Sequence, residues 1–315
     1  MTKIAWVFPG QGSQTVGMGR DVFEDSPPGR AVFEEADGAL GESLSTLCFD
    51  GPAETLALTA NTQPAILTAS IALLRALEAD GPLPVDVMAG HSLGEYSAHV
   101  AAGTLAFADA VRVVRQRGQF MQEAVPVGAG AMAAVLKAER DVVERVCAQV
   151  CAGGAVAEPV NYNSPGQIVI AGSAEGVRLA SEALTAEKAR VMTLPVSAPF
   201  HSSLMRPAEE RLRPVLDAVT FADPRVPVYV NVDAAKVVSG AAARDALARQ
   251  VSRAVRWDEA VVAMVAEGVG LFVEIGPGKV LSGLLKRIDK SATAVSVQTL
   301  ADIPAARAAL LAARG

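Results

Sequence analysis

Aromatic side chains are scarce in this 315-residue chain, only 4% of the total, so its interior must be assembled from Ala, Val and Leu. Cationic residues are in the minority: 28 Lys and Arg stand against 34 Asp and Glu, a formal net charge of −6. A dominant basic surface is what binds a phosphate backbone, so nucleic acid is excluded as the main partner. Cysteine is limited to Cys48, Cys147 and Cys151, which cannot all pair. No histidine flanks the close pair, so no metal site is expected and the thiols read as buried and inert. The longest uncharged stretch, Thr55–Leu74, is interrupted by Asn61-Thr62-Gln63-Pro64, which makes it a loop followed by a buried helix and not a membrane span. Ile4–Phe8 is too short for the apolar region of a signal peptide, so the cytoplasm is the expected compartment and no membrane partner is expected. Repeats with a period of about 20–50 residues and low-complexity tracts are also missing, which excludes solenoids and propellers.

What is present is ordinary globular material, 51% hydrophobic and 20% charged, of a length that suits two domains or one large domain with an insertion. Lys3–Phe8 is a short apolar run closed by Pro-Gly, a buried strand leading into Pro9–Gln14. Helical patterns cover Arg30–Ala39 and Thr68–Glu78. Val85–Ala89 is a second buried strand, and Gly90–Gly94 turns directly into the helical run Glu95–Ala102, which Gly103 should close. A further helix is expected over Ala108–Glu123. Strand, glycine turn and helix in succession indicate an α/β core.

The character changes between residues 127 and 198. The pattern there predicts strand Ala131–Leu136, helix Glu139–Val150, strand Val156–Tyr162, strand Gln167–Ala171, helix Ala174–Glu187 and strand Arg190–Pro195. This β-α-β-β-α-β order is the split βαβ arrangement, so a ferredoxin-like subdomain (127–198) is expected within a core made of 1–126 and 199–315. Val226–Val232 and Leu271–Ile275 add two apolar strands to that core.

Gly90-His91-Ser92-Leu93-Gly94 fits G-x-S-x-G at a strand-to-helix junction, the setting in which the motif presents a nucleophilic serine. The backbone N–H of Leu93 and the dipole of the following helix would then face a developing oxyanion. Serine needs a base, and only His91, His99 and His201 are available. His91 neighbours Ser92 and should point to the opposite face, and His99 lies about two turns along the helix, which leaves His201. Gly10-Gln11-Gly12 first suggests a dinucleotide loop, but Thr15 stands where the third glycine belongs, so Gln11 is placed in the oxyanion hole instead. Arg112 and Arg115 share a helix face while Arg117 turns elsewhere, and an inward arginine calls for an anionic substrate such as a carboxylate.

Pro9–Gln14, Asn61–Ala65, Gly90–Ala98, Gln116-Arg117-Gly118, Asn161–Gln167, Pro199-Phe200-His201 and Glu274–Lys279 together resemble the malonyl-CoA:acyl carrier protein transacylases of fatty acid synthesis, in order from about residue 4 to 290. The resemblance implies a patatin-like α/β core with a ferredoxin-like subdomain, malonyl-CoA and acyl carrier protein as partners, and no cofactor or metal. It implies Ser92 as the acylated nucleophile, His201 as its base oriented by the backbone carbonyl of Gln250, and Gln11 and Leu93 as oxyanion donors. Arg117 would hold the malonyl carboxylate, with Gln63 and Asn163 near the pocket. Leu93 and Phe200 resemble the residues of malonyl-selective enzymes. Relatives often carry a proline after the position of Gln250; Ser252–Trp257 has none, which predicts a less rigid loop.

Three other readings compete with malonyl transfer. A serine hydrolase of the G-x-S-x-G type places its histidine late in the chain, and here none follows His201. A binding module would leave Ser92 unable to acylate. The nearest alternative is a free-standing acyltransferase of a polyketide synthase, with the same chemistry and another carrier. Lys279, Lys286 and Lys290, spaced for one helical face with Arg287 adjoining, suggest where an acidic carrier would dock.

Overall fold

The computed structural model describes residues 2–196 and 198–314; Met1, Ser197 and Gly315 lie outside the described residues, Ser197 being part of the loop read as the return from subdomain to core. Ten strands are labelled in chain order: β1 Lys3–Phe8, β2 Val87–Gly90, β3 Gly130–Leu136, β4 Ala157–Ser164, β5 Gln167–Ser173, β6 Arg190–Thr193, β7 Val228–Val230, β8 Ala235–Val237, β9 Val269–Ile275 and β10 Thr293–Val297. Six of them form a sheet in the order β10-β9-β1-β2-β7-β8. All neighbours in it run parallel except β7 and β8. β1 is buried from Ile4 onward because helices cover both faces of the sheet, which is why its sequence is continuously apolar instead of alternating.

The segment between residues 130 and 193 forms a separate antiparallel sheet, ordered β4-β5-β3-β6, with helices Arg140–Ala152 and Ala174–Ala186. Val135, Val146, Ile170 and Leu184 belong to its own apolar cluster. The predicted β-α-β-β-α-β succession is observed within a residue or two at most boundaries. Gly103, with φ 76°, follows the end of helix Leu93–Ala101, where its lack of Cβ permits the left-handed turn.

Four expectations need correction. Asn61–Pro64 is not a loop: the helix starts at Thr59 and runs through Pro64 to Leu77. Its first turns are held by side chains, Asn61 donating to the Thr55 carbonyl (2.9 Å) and Thr62 to that of Leu56 (2.5 Å), and burial of the helix outweighs the backbone bond that proline removes. The second correction concerns Cys151, which is exposed; Cys48 and Cys147 are buried as expected, their thiols pushed up to about 12 chiefly by burial. Third, the basic stripe is not one helical face. The helix spans only Val280–Ile288, so Lys279 caps its start and Lys290 lies past its end. Last, β8 and β10 were not anticipated, β8 because it is a three-residue antiparallel edge and β10 because only its last residue, Val297, is fully buried.

Candidate active site

β2 ends at Gly90 and the helix Leu93–Ala101 begins three residues later, leaving Ser92 at the apex with φ 50° and ψ −104°. The turn is sharp enough to exclude side chains on its flanks. A Cβ on Gly90 would sit 2.0 Å from the Gly94 carbonyl carbon, and one on Gly94 would sit 2.0 Å from the Phe8 oxygen. A non-glycine residue in this backbone region costs on the order of 1–3 kcal/mol and persists only where its surroundings determine it. Here they do: Asn231 Oδ1 accepts from the Ser92 N–H (2.7 Å), Asn231 Nδ2 donates to the Gly90 carbonyl (2.8 Å), and Gln250 Nε2 donates to the Ser92 carbonyl (3.1 Å).

His201 also has positive φ, 65°, in the loop that follows the small sheet. Its Nε2 lies 2.8 Å from Ser92 Oγ and its Nδ1 lies 2.8 Å from the Gln250 carbonyl oxygen. A carbonyl can only accept, so Nδ1 carries the proton and Nε2 is free to take one from Ser92. Burial, and then the Arg117 charge, lower the His201 pKa to about 3, so the imidazole is neutral at physiological pH.

Arg117 is 1% exposed and lies in the same hydrogen-bonded cluster. Its guanidinium donates to Gln63 Oε1 (2.7 Å), Gln250 Oε1 (2.8 Å) and Ser92 Oγ (3.2 Å), and it stands over the Tyr96 ring. Among the described residues no carboxylate pairs with it and its Nε–H has no partner. Burial lowers its pKa, yet an arginine does not give up its proton in a protein. The two neighbours behave differently, as their spacing predicted. Arg112 bonds Asp109 and the Ala39 carbonyl at the surface, and Arg115 reaches Asn61 and Glu42.

Gln11 places its side chain on Thr59 Oγ1 (3.3 Å). Its backbone N–H and that of Leu93 donate to no atom among the described residues. Phe200 is 8% exposed and belongs to the main apolar cluster. Asn163 Oδ1 is engaged by His91 Nε2 (2.8 Å), which joins the end of β4 to the serine turn. His99 is fully buried, and neither ring nitrogen has a partner. No cluster of three or more metal-binding side chains occurs among the described residues.

Two residues of this site have no place in the sequence reading. Asn231 follows β7 without any motif around it. Glu95, inside the quoted motif but given no role, is fully buried; its Oε2 accepts from the Asn231 N–H (2.8 Å) and from Gln250 Nε2 (2.8 Å), and burial raises its pKa to about 7. A lone carboxylate in an otherwise uncharged helix was the signal that could have singled out Glu95.

A sequence model described as the acyl transferase domain matches residues 5–308. The chain belongs to that acyl transferase family. A curated relative, the malonyl CoA-acyl carrier protein transacylase of Bacillus subtilis (strain 168), is 50% identical over 298 residues, covering 94% of each chain. Among solved structures, the acyl carrier protein S-malonyltransferase of Vibrio cholerae superposes with a TM-score of 0.94 at 46% identity, covering 97% of this chain and 100% of that one. A malonyl-transacylase solved in complex with a holo acyl carrier protein of a type II PKS gives a TM-score of 0.95 at 45% identity, covering 98% and 100%. The resemblance read from the motifs is therefore borne out along nearly the whole acyl transferase chain.

Proposed function

We propose that the chain transfers the malonyl group of malonyl-CoA to the phosphopantetheine thiol of an acyl carrier protein, through a malonyl-serine intermediate at Ser92. The observation that carries this reading is a buried guanidinium without a carboxylate partner, 3.2 Å from the same hydroxyl that lies 2.8 Å from His201. Ser92 Oγ passes its proton to His201 Nε2 as it attacks the thioester carbon, and Arg117 beside it favours the alkoxide that forms. The oxygen of the tetrahedral intermediate takes hydrogen bonds from the N–H groups of Gln11 and Leu93. As the intermediate collapses, the carbon–sulfur bond breaks and CoA leaves with the proton from His201. The carrier thiol then gives its proton to His201 as its sulfur attacks the malonyl ester; the bond from the acyl carbon to Ser92 Oγ breaks, and His201 returns the proton to that oxygen. The Gln250 carbonyl holds the imidazole, in the place a carboxylate takes in Ser-His-Asp enzymes. The malonyl carboxylate pairs with Arg117, with Gln63 supporting the guanidinium and Asn163 and Phe200 bordering the acyl group.

The same reading treats residues 1–126 and 199–315 as a patatin-like core and 127–198 as a ferredoxin-like subdomain, supported by the separate apolar cluster and the β4-β5-β3-β6 order. No helix among the described residues is long and apolar enough to cross a membrane, and three unpaired cysteines suit the cytoplasm. A second reading, service to a polyketide carrier, draws support from the type II PKS complex among the structural neighbours. Incubation with malonyl-CoA alone, followed by mass spectrometry, tests the common core: one malonyl group at Ser92, then transferred on addition of carrier. Comparing turnover on fatty-acid and polyketide carrier proteins separates the two. Rapid malonate release without any acceptor would mark a hydrolase and overturn both.

A further inference from the structure

β4 of the small sheet touches every segment that builds the proposed serine–histidine pair. Asn163 binds His91, the residue before Ser92. The Val160 carbonyl accepts from the Val255 N–H (2.8 Å), and the Val255 carbonyl accepts from the Tyr162 N–H (2.9 Å), which ties down the loop that leaves Gln250. The absence of proline there is thus met by pairing with β4. The third connection is made by a carboxylate. Glu158 Oε2 accepts from the Ser203 backbone N–H (2.7 Å) and Glu158 Oε1 accepts from the Ser203 hydroxyl (2.6 Å). Ser203 opens the short 3-10 turn Ser203–Met205, two residues after His201.

This clamp lies where the chain needs one. His201 occupies the left-handed backbone region, which an L-residue holds only under constraint, and Ser202 is pinned from its other side by the Pro199 carbonyl (2.7 Å). A carboxylate receiving two donors from one residue fixes both the position and the rotation of that peptide, and charge-assisted bonds are the stronger kind. We infer that Glu158 is a positioning residue: acting through Ser203, it holds the His201 loop so that Nε2 meets the Ser92 hydroxyl, and so makes the small subdomain part of the catalytic apparatus. The inference rests on His201 being the base of the proposed transfer.

The test is single-turnover acylation of Ser92 by malonyl-CoA in the full chain. Glu158→Ala removes both bonds and should slow acylation about tenfold or more, with KM for malonyl-CoA within about twofold of the parent, because Arg117, which pairs with the malonyl carboxylate, keeps its partners. Glu158→Gln can still accept from the N–H while its amide donates to the Ser203 hydroxyl, so it should recover most of the rate. Ser203→Ala loses one bond of the two and should show a smaller loss of the same type; it also serves if Glu158→Ala does not fold. The deciding comparison places each change in a His201→Ala background. A residue that acts through His201 has nothing left to position there, so Glu158→Ala/His201→Ala should acylate as slowly as His201→Ala alone. Parent-like acylation by Glu158→Ala, or the same fold-loss in both backgrounds, overturns the inference. A parent-like rate in His201→Ala itself overturns instead the assignment of the base.

Discussion

Replacing Arg117 with alanine puts a single structural fact, a buried cation that no carboxylate among the described residues bonds, to quantitative use. Three acceptors surround the guanidinium, from Gln63, Gln250 and Ser92, and all are neutral. Glu95 acts on it only through space, across Gln250, with its own ionisation disfavoured by burial, so a substrate carboxylate is the first anion to bond the guanidinium directly, in a setting that water barely reaches. Removing one partner of such a desolvated pair costs roughly 2–5 kcal/mol, or about thirtyfold to a few thousandfold in kcat/KM for malonyl-CoA. Acetyl-CoA brings no carboxylate and leaves the parent guanidinium unpaired, so it should lose much less and the malonyl-to-acetyl ratio should collapse. Arg112→Ala and Arg115→Ala are the controls. Their side chains serve Asp109, Asn61 and Glu42, and each should move the ratio by less than about tenfold. A second signature follows from the same charge. Arg117 is one cause of the depressed His201 pKa, so Arg117→Ala should let the imidazole protonate more easily and move the acid limb of the acylation profile to higher pH. Measuring kcat/KM for both thioesters with the three variants decides the matter. An unchanged ratio in Arg117→Ala, or a larger change in either control, refutes the reasoning.

Mass spectrometry after exposure to malonyl-CoA should find an adduct that Ser92→Ala abolishes, that His201→Ala forms about 100-fold or more slowly, and that His91→Ala still forms readily. In the parent, with His201 held near 3, the acylation rate constant should stay level as pH falls from about 7 to 5; a half-maximal rate near 6.5 would reveal an ordinary imidazole. His99 is buried and neutral, with its pKa lowered to about 3 from 6.5 by burial. The unfolded chain therefore takes up a proton that the folded one refuses, and stability drains as pH falls through that window. His99→Leu should stabilise the fold by about 1 kcal/mol at neutral pH and make denaturant midpoints at lower pH decline less; a destabilised His99→Leu with an unaltered pH slope would contradict this. Asn231→Ala should slow acylation without raising KM for malonyl-CoA, since it releases the Ser92 turn and not the substrate, a split that steady-state kinetics reads directly.

The parts of this site that could be read from the sequence are those in which chemistry leaves few choices. With only three histidines, the neighbour of Ser92 and the one inside the following helix could be set aside, and His201 does meet the hydroxyl. Helical spacing separated Arg117 from Arg112 and Arg115 for the same kind of reason. Asn231 and Glu158 carried no such mark, because a polar residue at the end of a strand or facing a neighbouring loop has value only through partners far along the chain. The Asn61–Pro64 stretch misled because local turn propensity spoke for a loop while burial of the surrounding residues decided for a helix. β10 was missed because its partial burial left it without a strong hydrophobic pattern.

The order of strands in the large sheet has a consequence for how the molecule is made. β1 lies at the centre, between β2 and β9, and residues Ile4–Val7 pair on one side with Leu271–Glu274. During synthesis that edge of β1 stays open until nearly the whole chain has emerged, whereas β3 to β6 find one another within a single local segment. The small sheet can therefore assemble first and independently. The large sheet closes last, and a ribosome stalled before β9 would leave an apolar parallel edge exposed to aggregation and chaperone capture.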